Sequence, residues 1–434
     1  MKTTTIRILA AMAATFAISA LSPALRINGP GNGFDTFRES VNFGAFVYSV
    51  GTSYASPGRG TDILVTCHTL AGGLAWAQLL DGPASANDEG VAIAVTAGGV
   101  YVTGTTPGAG GNLNVYVGQL NPATGAILNQ AQFGSPAGLD DVPSDVVVTP
   151  TPSVVVVGKA ANPVNTDVLL LAYTPALGLA AANFFDAGND DYATAVDTDP
   201  AGMVYITGGM ENGAGVSDML LQRWTPGLTI DWAAALTYKP WSQDYGTDIQ
   251  VTPAGVYALG SSNRGITGWD FMMVRAALGG GIGVRRFFGS LADDFGIDLE
   301  VWAGGQVYAA GNTGNDIMLV RGSPLLALIG SSTFGSAGGG TDKCSAMALD
   351  AGTGDAYLYG TATSAATGDD SLLVSFDAFG ALRWNTAYDF AGLADRGSDV
   401  LFAAGGVFAV GTSEGVNADA LFNRYDPGTG VVLF

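Results

Sequence analysis

The sequence predicts an all-β chain folded as an eight-bladed β-propeller of four-stranded antiparallel blades, and three observations carry that expectation. A strand-like run ends in glycine at Gly51, Gly104, Gly158, Gly208, Gly260, Gly311, Gly360 and Gly411, at intervals of 49 to 54 residues. An aspartate stands 16 to 18 residues ahead of each, at Asp35, Asp88, Asp141, Asp191, Asp244, Asp294, Asp342 and Asp395. After the first 25 residues no segment keeps an apolar period near 3.6 over three turns. A period so long and regular denotes stacked supersecondary units.

The runs before the glycines, such as Val100-Tyr101-Val102-Thr103 and Val204-Tyr205-Ile206-Thr207, are β-branched and aromatic. The fourth unit shows all four of its strands: Tyr192 to Asp197, Met203 to Gly208, Met219 to Trp224 and Leu228 to Ala234. Gly, Pro, Asn and Asp clusters between them read as turns. Four short antiparallel strands at this period suit a propeller blade, whereas a tandem array of sandwiches needs about twice the residues per domain. Blades bury their faces against their neighbours, which accounts for 48% hydrophobic against 13% charged residues.

Residues 1–24 differ in kind. Lys2 and Arg7 precede an apolar run from Ile8 to Leu21 and a small-x-small site at Ser22-Pro23-Ala24. This reads as a secretory signal cut after Ala24, with Ala20 as the alternative site, leaving residues 25–434 as a single propeller domain that is secreted, periplasmic or at the cell surface. The run is too short to span a bilayer comfortably, so no membrane insertion is expected. Seventeen Lys and Arg against 38 Asp and Glu give a net charge of −21. That argues against nucleic-acid and anionic-membrane partners and favours cations. Cys67 and Cys344 fall in units 1 and 7, which are not neighbours in a ring of eight, so two buried free thiols are expected.

The units resemble the SBBP repeats of bacterial β-propeller proteins. The likeness rests on Asp191-Tyr192-Ala193-Thr194-Ala195-Val196-Asp197, Gly99-Val100-Tyr101-Val102-Thr103-Gly104, Asp370-Ser371-Leu372-Leu373-Val374 and Gly380-Ala381-Leu382-Arg383-Trp384, and extends over residues 35 to 434. The family name implies seven blades, the alternative to the eight counted here. The resemblance implies an exported bacterial protein that binds or scaffolds.

A second aspartate set precedes the third strand: Asp62, Asp167, Asp218, Asp270, Asp316, Asp370 and Asp419, with Asn114 in unit 2. Loops entering strands one and three of an up-and-down blade share a face, so one face collects both sets. Each carboxylate either accepts backbone N–H bonds in its own turn or joins others to hold Ca²⁺, which takes six to eight oxygens. The candidate Ca²⁺ ligands are Asp140, Asp141 and Asp145 in unit 3 and Asp293, Asp294 and Asp298 in unit 6. No Asp-x-Asp-x-Asp-Gly loop accompanies them.

No catalytic residue stands out. The single histidine, His68, takes the place of Tyr173, Trp224, Phe376 and Tyr425 in other units and reads as a packed aromatic substitute. One His and two scattered Cys leave no set for a His/Cys zinc site. Asn121-Pro122-Ala123-Thr124-Gly125 and Asp426-Pro427-Gly428-Thr429-Gly430 are similar to the turn of quinoprotein repeats, yet neither the Trp that should follow nor a vicinal Cys pair is present. Trp76, Trp232 and Trp384 share one fourth-strand position and read as blade-to-blade packing. Trp241 and Trp269 lie in or beside loops of the aspartate face and are the candidate ligand-binding aromatics. The function expected is a non-enzymatic binding or scaffold module for a protein or glycan partner at the acidic face. The alternative is an exported carboxylate-dependent enzyme acting on carbohydrate.

Overall fold

The computed structural model describes residues 6–7, 17–19 and 25–434, apart from 85, 214, 338, 365–367, 391 and 415–417. Most of the expected signal segment lies outside the described residues. The described residues contain no helix, and none therefore is long and apolar enough to cross a membrane. They form a β-propeller of eight antiparallel blades. Seven sheets hold four strands in chain order, from Asp35–Leu80 in blade 1 to Asp342–Tyr388 in blade 7.

Blade 8 takes its first three strands, Asp395–Ala403, Gly406–Ser413 and Asp419–Tyr425, from the C-terminus, and its fourth, Leu25–Asn28, from the N-terminus. Leu25 pairs with Phe422 and Ile27 with Ala420. The N-terminal segment thus covers the edge of blade 8, as an aggregation-prone edge demands. The final residues pair only with the end of Asp419–Tyr425: Val432 bridges Tyr425, the Leu433 N–H donates to Arg424 O at 2.7 Å and the Arg424 N–H to Phe434 O at 2.9 Å.

Contacts divide the chain into two compact units. One comprises residues 1–111, 115–132 and 335–434, essentially blades 1, 2, 7 and 8; the other, residues 112–114 and 133–334, is essentially blades 3 to 6. Within each unit the cores lie between successive blades. Val155, Leu170, Ile206 and Leu220 join blades 3 and 4, and Ile27, Phe37, Val47 and Phe422 join blades 8 and 1. Within each unit the first strands of adjacent blades contact each other, while fourth strands alternate exposed and half-buried residues, as in Ile230–Leu236.

The repeat glycines do not end their strands. Each lies within the second strand, opposite the first-strand residue just before a β-bulge: Gly51 against Phe37, Gly104 against Gly90, Gly158 against Pro143, Gly208 against Ala193. Blades 5 to 8 repeat the arrangement with Gly260, Gly311, Gly360 and Gly411. A Cβ at any of the eight would overlap the carbonyl oxygen of the residue after the blade's first aspartate, such as Thr36, Tyr192 or Arg396. Close backbone approach at the bulge, not a turn, is what requires glycine.

The fourth-strand tryptophans pack as expected. Trp76 Nε1 donates to Pro122 O and Trp384 Nε1 to Pro427 O, both at 3.0 Å, each in the following blade. Their rings lie against Gly125 and Gly430 of the two quinoprotein-like turns. The docking tryptophan therefore comes from the preceding blade, which is why none follows the turn. Cys67 and Cys344 are buried free thiols.

Candidate functional site

The first-strand aspartates are fully buried and share one construction. In every blade one carboxylate oxygen accepts the N–H of a residue four to six positions earlier, at 2.5 to 2.9 Å: Gly29 to Asp35, Gly82 to Asp88, Ser135 to Asp141, Ala187 to Asp191, Tyr238 to Asp244, Ser290 to Asp294, Ser336 to Asp342 and Phe390 to Asp395. This fixes the loop that enters each blade.

The residue before that aspartate anchors the preceding blade. Asn87 Oδ1 accepts the Thr61 N–H at 3.1 Å, Asp140 that of Leu113 at 2.8 Å, Asp190 that of Thr166 at 2.8 Å and Asp293 that of Trp269 at 3.0 Å. Third-strand aspartates take side-chain donors: Arg59 on Asp62 at 2.6 Å, Asn162 on Asp167 at 2.9 Å, Arg264 on Asp270 at 2.8 Å and Arg26 on Asp419 at 3.0 Å.

A further set of carboxylates lies on the first strands, four residues after the first aspartate, and sequence reasoning did not isolate it. Asp145 Oδ2 accepts the Val196 N–H at 2.9 Å, Asp248 that of Leu299 at 2.8 Å, Asp399 that of Ser40 at 2.6 Å, and Glu39 that of Ile93 at 2.8 Å. Asp197, six residues after Asp191, does the same to Val251 at 2.6 Å. Each bond ties one blade to the next. The spacing from Asp141 to Asp145, Asp244 to Asp248, Asp294 to Asp298 and Asp395 to Asp399 was a visible signal of this belt.

The two candidate Ca²⁺ triplets are thus distributed among three tasks. Asp140 and Asp293 cap a neighbouring blade, Asp141 and Asp294 hold their own entry loops, and Asp145 staples blade 3 to blade 4. Asp298 hydrogen-bonds Asp248. Among the described residues, groups of three possible metal ligands converge elsewhere, at Asp62, Asp81 and Asp88 and at Asp370, Asp389 and Asp395. In the first group Arg59 already stands 2.6 Å from Asp62 and 3.0 Å from Asp81.

Burial raises many of these carboxyls. It pushes Asp62 up to about 7, against the Arg59 charge and with help from Asp81 and Asp88. Asp35, Asp191 and Asp395 rise to about 6, again chiefly through burial, with accepted hydrogen bonds opposing it. Asp145 and Asp399 rise to about 7 through desolvation that their two backbone N–H bonds only partly offset. Burial, reinforced by Asp298, holds Asp248 well above the ordinary carboxylate range.

His68 is fully buried, stacked on Phe422 with centroids 4.1 Å apart, and lowered to about 3 by burial. It packs as an aromatic and stays neutral. Trp241 is 54% exposed, with Lys239 Nζ 5.1 Å from its ring centroid. Trp269 begins the third strand of blade 5, half-buried between Tyr245 and Phe295, each 5.4 Å away.

Three solved structures share this fold. BamB from Moraxella catarrhalis is 10% identical over 90% of this chain and 98% of its own, with a TM-score of 0.53. The periplasmic gluconolactonase PpgL of Pseudomonas aeruginosa is 14% identical over 80% and 97%, at 0.51. Sqt1 of Saccharomyces cerevisiae is 11% identical over 80% and 84%, also at 0.51. At such identities the likeness is one of fold, and two of these propellers are bacterial. No family model and no curated protein matches the chain.

Proposed function

We propose that this chain is an exported binding or scaffold propeller, not an enzyme, and that it engages a protein or glycan partner through the loop face carrying the aspartates. The observation behind this reading is repetition. The same aspartate-to-backbone bond recurs in all eight blades, whereas a catalytic centre requires one asymmetric constellation. Export rests on the basic, apolar and small-residue pattern of residues 1–24. A photo-crosslinking amino acid placed at Ile266 on the loop face, or at Leu325 on the opposite face, tests the reading in the producing cell. A discrete adduct from position 266 alone supports it; adducts from 325 alone, or from neither, refute it.

One observation favours a second reading, a carboxylate-dependent enzyme acting on carbohydrate. Asp248 and Asp298 form a hydrogen-bonded carboxyl pair in which burial and the Asp298 charge raise Asp248 well above the ordinary carboxylate range, the kind of pair that divides acid and base roles. Turnover of a polysaccharide panel that disappears with Asp248→Asn would establish it.

A further inference from the structure

In blades 3 to 6, the three most exposed large apolar side chains share one face. Val164 is 88% exposed, Leu291 93% and Ile266 completely so. All three lie in loops that enter a third or a first strand, on the aspartate face. At the opposite face of the same blades exposure is lower: Leu325 is 59% exposed, and Leu179, Ile230, Ile282 and Leu328, which open the fourth strands, are 38 to 56% exposed.

These tips adjoin the aromatics. The Trp241 ring lies against Gly265, next to Ile266. Trp269 donates its backbone N–H to Asp293, two residues after Leu291, and its ring lies tilted between those of Tyr245 and Phe295. The surrounding loops carry four exposed carboxylates, Asp140, Asp186, Asp190 and Asp293. Their cations are Lys239 and Arg264, and Arg264 is neutralised by Asp270 at 2.8 Å.

From this placement we infer that the loop face of blades 3 to 6 docks a partner polypeptide segment in which Lys or Arg alternates with aliphatic residues. The inference rests on the binding reading above and specifies the partner's chemistry. Three nearly fully exposed aliphatic tips gain by meeting apolar side chains, and sugar hydroxyls offer them nothing comparable. The carboxylates select positive charge between those contacts and speed encounter. Trp241 and Trp269 supply the large, rigid contact area typical of binding anchors. Lys239 over Trp241 shows the ring already receiving an ammonium group from within the chain.

The test is fluorescence anisotropy with two labelled synthetic peptides, one of repeating Lys-Leu-Gly and one of repeating Lys-Ser-Gly, read against the wild-type chain. Three variants accompany it: Ile266→Ser with Leu291→Ser, Asp190→Asn with Asp293→Asn, and Leu325→Ser as the control on the other face. The expected result is binding of the Lys-Leu-Gly peptide roughly tenfold tighter than its Lys-Ser-Gly counterpart, a scale typical of lost anchors. That preference should vanish in the Ile266/Leu291 variant and persist in Leu325→Ser. Equal affinity for both peptides, with loss only in the Asp190/Asp293 variant, would overturn the apolar docking while leaving an acidic binding face in place. Failure of both peptides to bind would overturn the inference, and crosslinking from position 266 would still decide the broader reading. Binding of a neutral oligosaccharide that depends on Trp241 and Trp269 would also overturn it, in favour of a glycan.

Discussion

The carbonyl oxygen of Tyr245 occupies the space that a side chain on Gly260 would need. The two residues face each other across the bulge of blade 5, where Gly246 pairs with Gly260 before the register shifts to Asp248. Gly260→Ala must push the first strand away and disturb the belt beyond the bulge. Overpacking of this kind costs about 1–3 kcal/mol, so chemical denaturation should show that loss. Gly279→Ala, where nothing lies within 4 Å, is the control and should unfold like wild type.

Asp399 provides the matching test of the belt. Its carboxylate accepts the N–H groups of Ser40, at 2.6 Å, and Val400, at 2.8 Å. Asp399→Ala leaves both donors without that partner, at about 1–3 kcal/mol for a buried one. The midpoint of urea unfolding should fall, and hydrogen exchange should rise at Ser40 more than at residues of the outer strands.

Stability should decline as pH rises from weak acid. Burial lifts Asp62, Asp145 and Asp399 from 3.8 to about 7, and Asp35, Asp191 and Asp395 to about 6. Between pH 4 and pH 7 the folded chain therefore holds more protons than the unfolded one, and each proton lost costs stability. Melting temperatures should be higher at pH 5 than at pH 8. A melting temperature that increases over that interval would contradict the assignment of these carboxyls to sites where desolvation outweighs their hydrogen bonds and ion pairs.

Calcium titration distinguishes the two uses of the aspartates. Asp140 and Asp293 are engaged by the Leu113 and Trp269 N–H groups, so Asp140→Asn with Asp293→Asn should leave the calorimetric isotherm unchanged. Asp389→Asn is the informative variant, because Asp370, Asp389 and Asp395 bring three carboxylates within 4.8 Å of one another. Any calcium heat should be lost with it.

Removal of Leu25–Asn28 should make the protein aggregate. These residues form the fourth strand of blade 8, and without them Ala420, Leu421 and Phe422 present an unpaired edge. Light scattering should show monomer for a chain starting at Leu25 and large species for one starting at Gly29. Cleavage after Ala24, the site read from the sequence, keeps the closing strand intact, and mass spectrometry of exported protein checks it.

The sequence by itself determined the all-β propeller class, the repeat of about 50 residues with its four strands, and the positions of the recurring aspartates. Those properties are local and periodic: a turn carboxylate and its N–H partner lie within six residues, as Asp35 and Gly29 do, so each copy of the repeat restates them. It also exposed His68 as a packing residue, because the same position is aromatic in other units. Tertiary structure decided what depends on neighbouring blades. Gly260 looked like a strand terminator until the bulge opposite it supplied the Tyr245 carbonyl. Asp145 looked like a companion of Asp141 until the pleat and bulge turned it toward Val196, 51 residues away in sequence. The place of Leu25–Asn28 ahead of unit 1 pointed to closure of blade 8 by the N-terminal segment, and the structure supplied the register, Leu25 against Phe422 and Ile27 against Ala420. Contacts that cross from one repeat to the next have no period within a single repeat, and only the folded chain brings their two halves together.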